Sequence, residues 1–93
     1  ELEQKIIQAR VPEVSASLRH QLVSFIQELR GLDLKKVPAI SETIDWARTL
    51  LLLHADALDP ELVRSTLNVI LKFQEDIENV ESELHSITAK IRK

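Results

Sequence analysis

Three histidines, fifteen acidic residues and twelve lysines and arginines are the groups from which this 93-residue chain would have to build catalysis or metal binding. His20, His54 and His85 stand on three separate segments, and the chain has no cysteine, so both the paired-histidine metal motif and the structural zinc pattern are missing. They read as surface or boundary histidines. Ser15, Ser17, Ser24, Ser41 and Ser65 fall on helices or caps, not on the strand-to-helix elbow that exposes a serine nucleophile. Glu42 with Asp45, and Glu75 with Asp76, would do acid–base work only if burial raised one pKa. Nothing in the pattern buries either pair, and a solvated helix face accounts for both. A phosphate-binding loop needs several glycines followed by a lysine and a hydroxyl residue. Gly31 is the single glycine, so the chain holds no complete ATP site and no catalytic residue of its own.

The elements that must position these groups are helices. A hydrophobic fraction of 44%, rich in leucine, isoleucine and valine, with one glycine and three prolines, describes an ordered all-α domain spanning residues 1–93. The formal charge of −3 argues against nucleic acid or an anionic membrane as partner, because phosphate binding needs many lysines and arginines acting together. No run of about 20 apolar residues and no secretory leader is present, and a cytoplasmic address is the default expectation. The chain begins at Glu1 without a methionine, which suits a piece of a longer protein or a processed one.

Four helical stretches follow from periodicity. Leu2 to Ala9 is short and stopped by Val11-Pro12, since the residue before proline is pushed out of the α region. A second stretch is expected to start at Pro12, to bury Val14, Leu18, Leu22, Phe25, Ile26 and Leu29, and to end on Gly31 in the left-handed conformation. Arg19, Gln27 and Glu28 should face water. Between Gly31 and Ile40 a loop would dock Leu32 and Leu34 while Lys35 and Lys36 stay wet. Ser41 then reads as the N-cap of a third helix, with Glu42 and Asp45 near its positive end. Ile44, Trp46, Ala47, Leu50, Leu51 and Leu53 fill its apolar half; Leu52 falls in the polar half with Glu42, Asp45, Arg48 and Thr49, and is expected to be exposed or to await a missing neighbour.

Asp59-Pro60-Glu61 opens the fourth stretch with a capping acid, a proline at the first helical position and a second acid. Leu62, Thr66, Val69, Phe73, Ile77, Val80, Leu84, Ile87 and Ile91 recur at steps of three and four, with an extra step near Phe73. A continuous helix over 60–92 would be about 50 Å long at about 1.5 Å per residue. It must bend near Phe73 or project from a domain this small. Packing of its last part on the first helix is the preferred arrangement. Five acids over 75–83 give way to Lys90, Arg92 and Lys93, a solvated helix with cations near its negative end.

In order and spacing, Val11-Pro12-Glu13-Val14, Leu32-Asp33-Leu34-Lys35-Lys36-Val37-Pro38, Ser41 to Arg48 and Ala57-Leu58-Asp59-Pro60-Glu61-Leu62 together resemble the C-terminal helical lid of MoxR-type AAA+ ATPases. The resemblance spans roughly residues 5–80. It implies a small helical bundle packed beside an upstream AAA+ nucleotide-binding domain, itself non-catalytic, in a parent that uses ATP and Mg. It further implies a homo-oligomeric ring that remodels or matures other proteins, often with a partner carrying a von Willebrand factor A domain. In that family a lid helix opens with a polar signature that senses the γ-phosphate. Ser41 to Arg48 occupies the matching place, which nominates Arg48, and after it Thr43, for nucleotide sensing in the parent. Many relatives put an arginine very near the helix start, where this chain has Glu42 and Thr43. The guanidinium of Arg48 has the reach and charge to meet phosphates held by a neighbouring domain. Its structural role would be a pair with Asp45 three residues earlier, worth about 0.2–0.5 kcal/mol.

A second class of function stays open. A free-standing helical interaction module would offer Ile77, Val80, Leu84, Ile87 and Ile91 to a partner helix, and would bind or self-associate without nucleotide.

Overall fold

In the computed structural model, which describes residues 2–91, the chain folds into five α-helices, with no strand among the described residues. They are α1 (Leu2–Arg10), α2 (Ala16–Leu29), α3 (Ile40–Leu52), α4 (Pro60–Ile70) and α5 (Gln74–Ile91). The expected all-α bundle is therefore what forms, and the fourth stretch divides in two. Leu71 adopts φ −117° and ψ 135°, an extended conformation that ends α4. Helix resumes at Gln74, so the break falls where the apolar pattern takes its extra step. A molecule measuring 32 × 23 × 23 Å has no projecting rod.

Local chemistry explains most of the boundaries. Asp59 accepts the Leu62 amide at 2.9 Å and Pro60 takes the first helical position of α4, as its sequence requires. The other starts are less obvious. α2 begins at Ala16, not at Pro12, because the Ser15 hydroxyl accepts the Leu18 amide at 3.1 Å and so sets the start four residues later. Residues 12–14 form a turn that tucks Val11 and Val14 into the core. The N-cap of α3 is Ala39, and Ser41 lies inside the first turn. Alanine has no side-chain acceptor, so only the return half of a capping box is made: the Glu42 carboxylate accepts the Ala39 amide at 2.7 Å.

The left-handed residue is likewise displaced. Gly31 does not have positive φ; α2 ends through Arg30 in the right-handed region. His54 has φ 57° instead. Its amide bonds to the Leu51 carbonyl and that of Ala55 to the Leu50 carbonyl, both at 3.0 Å, which is the Schellman termination of α3.

The core is continuous through all five helices. α2 is central, packing on α1, α3 and α5, while α4 packs on α3 and α5. All six apolar positions expected of α2 are buried, and Leu32 and Leu34 pack on the core with Lys35 and Lys36 exposed. Arg19 is half-covered and its buried Nε has no hydrogen-bond partner, in place of the expected wet position. Trp46 and Phe25 meet with ring centroids 5.3 Å apart. The indole N–H donates to the Thr66 hydroxyl at 2.8 Å, and that hydroxyl donates on to the Leu62 carbonyl at 3.0 Å. The lone tryptophan is thus a satisfied core residue linking α2, α3 and α4.

Two expected faces are shifted. α4 buries Val63, Thr66, Leu67 and Ile70, leaving Leu62 and Val69 half-buried and Phe73 exposed. Leu53 is exposed beyond the end of α3. α5 packs on α2 and α4, not on α1. Of the cations expected at its end, Lys90 reaches Glu28 at 3.4 Å, while Arg92 and Lys93 lie outside the described residues.

Candidate functional site

Three places bring polar side chains together: the outer face of α3, a corner where the α2–α3 loop meets the start of α5, and a cleft at the end of α3.

Ser41, Asp45, Arg48 and Leu52 follow one another at steps of four, three and four, and all are exposed. At about 100° per residue they lie within an arc of roughly 60° on α3. The side chain of Arg48 makes no hydrogen bond or ion pair with another described residue, so the expected pair with Asp45 is not formed. Leu52 is 80% exposed, as its place in the polar half requires. Thr43 is elsewhere. It lies about 140° around the axis from Arg48 by the same rotation, is wholly buried, and donates its hydroxyl to the Ala39 carbonyl at 3.1 Å. The structure does not bring the two nominated residues together.

The corner contains the two acids that periodicity assigned to solvent. Asp76, in the first turn of α5, is only 2% exposed. Its Oδ1 accepts the Lys35 amide at 2.8 Å and its Oδ2 the Lys36 amide at 3.1 Å, which ties the α2–α3 loop to α5. Glu42, also buried, takes the Ala39 amide and stands 3.4 Å from Lys36 Nζ and 3.3 Å from Lys72 Nζ. The Ala39 hydrogen bond holds its carboxyl below the ordinary glutamate range, opposed by burial and helped by Lys72 and Lys36. Lys35 reaches Glu75 at 2.6 Å and lies 5.6 Å over the Phe73 ring. A general acid near neutral pH needs its pKa raised; the bonds to Glu42 favour its charged form. Chemically the corner is a latch that ties the α2–α3 loop and the α4–α5 connection to the first turns of α3 and α5.

The cleft lies between the α1–α2 turn and the Schellman end of α3 and encloses about 250 Å³. Glu13, Val14, Leu18, Leu51, His54 and Asp56 are among the residues that line it, with Val14 and Leu18 all but covered by the core. Glu13 and Asp56 have exposed side chains without an ion-pair or hydrogen-bond partner among the described residues. Periodicity could not find this site, because it depends on a chain reversal held by a histidine in a conformation usually left to glycine. No group of three or more histidine, cysteine or acidic side chains is placed to hold a metal ion, and no helix is long and apolar enough to cross a membrane, among the described residues.

Neither a protein-family model, nor a curated protein, nor a solved structure matches the chain.

Proposed function

We propose that this chain is the non-catalytic C-terminal lid of a MoxR-type AAA+ ATPase, packed beside an upstream nucleotide-binding domain and moving with its ATP state. The observation that supports this reading best is the outer face of α3. A helix that opens with the polar stretch Ser41 to Arg48 presents an arginine without a partner among the described residues, in line with a leucine left 80% exposed. A neighbouring domain would cover Leu52 and bring its bound phosphates within reach of Arg48. Arginine suits that role because its planar fork binds phosphate oxygens in pairs. Thr43 would act only by fixing the start of α3, since its hydroxyl is already engaged with Ala39.

In this reading ATP and Mg belong to the upstream domain, the parent assembles as a cytoplasmic ring, and a protein with a von Willebrand factor A domain is a candidate partner. The rigid five-helix body is suited to swing as a unit. The interaction-module alternative draws less support, because Val80, Leu84, Ile87 and Ile91 are already buried within the chain.

The test begins with the coding region upstream of Glu1. An open frame with a phosphate-loop glycine motif and its lysine supports the lid. Arg48→Ala in that longer protein should then lower ATP hydrolysis while the lid stays folded. A start codon directly before Glu1, or unchanged hydrolysis in the variant, would remove the lid or the sensor respectively.

A further inference from the structure

We draw no further inference here: the strongest candidate, the surface patch at the α2–α3 loop and the α4–α5 connection where the exposed Phe73 lies beneath Lys35 and where Lys36 and Lys72 flank Glu42, carries nothing, because its lysines are already met by Glu42 and Glu75 and nothing in the structure shows what covers its apolar part.

Discussion

Replacing Asp76 by alanine tests the latch between the α2–α3 loop and α5. The carboxylate is 2% exposed and accepts two backbone amides, from Lys35 at 2.8 Å and Lys36 at 3.1 Å. Hydrogen bonds to a charged group contribute about 1.5–3 kcal/mol each, so the pair sets an upper figure of about 3–6 kcal/mol. The side chains of Lys35 and Lys36 are exposed, and water can reach the freed amides from that side. The expected loss is therefore about 2–4 kcal/mol, a large share of the roughly 5–14 kcal/mol available to a domain of this size. With an m value of about 1.5 kcal/mol per molar urea, the midpoint falls by roughly 1–3 M. Fluorescence of the buried, single Trp46 follows unfolding, and hydrogen exchange at the Lys35 and Lys36 amides reports the latch itself. Glu75→Ala is the control. Its carboxylate is 71% exposed and paired with Lys35, so removal should cost less than about 1 kcal/mol. If Asp76→Ala costs no more than Glu75→Ala, or leaves the two amides protected, the latch does not stabilise the fold as argued.

Thr66→Val keeps the volume but leaves the Trp46 indole N–H without its acceptor, and should cost about 1–3 kcal/mol, read by urea unfolding; an unchanged midpoint would mean that water or a carbonyl replaces the hydroxyl. His54→Gly should stabilise the chain by about 1 kcal/mol, because φ 57° carries a steric cost for any side chain but glycine's; calorimetry showing a lower melting temperature would contradict this. The Glu42 carboxyl is held low chiefly by the Ala39 amide and that of Glu3 chiefly by Arg30. Their stabilisation is present in full above the ordinary glutamate value of about 4.3 and is lost as pH falls through the lower folded-state values. Glu42→Gln should accordingly lose less stability than the unaltered chain between neutral pH and pH ~3; equal losses would show that Glu42 is not linked to folding.

Where one local interaction decides a boundary, the residues themselves were sufficient. Asp59-Pro60 starts α4 as read, the apolar positions of α2 are all in the core, and Leu52 is exposed because it falls on the polar side of α3. Where two candidates compete, the preference of a single residue for a helix start chose wrongly. Ser15 outranks Pro12 by offering a cap oxygen, and Ala39 outranks Ser41 because Glu42 can reach back to its amide. The chain reversal that needs left-handed backbone occurs at His54, two residues after α3, and not at Gly31. Helix geometry and packing set that position, at the expense of local preference. Of the nominated residues, Arg48 is accessible as its place on the helix implied, whereas Thr43 turns inward to its own backbone.

The amino-acid order alone determined that this is an all-helical chain, which side chains are apolar at helical spacing, and that no phosphate loop is present. Those properties depend on residues within a few turns of one another. Tertiary structure decided the fate of the acids: Asp76 meets amides about forty positions away, and Glu42 meets Lys72 from another connection. It also decided the cleft, whose carboxylates Glu13 and Asp56 lie far apart in the chain. A carboxylate looks the same in sequence whether its partner is water or a distant amide, and only folding brings that amide to it.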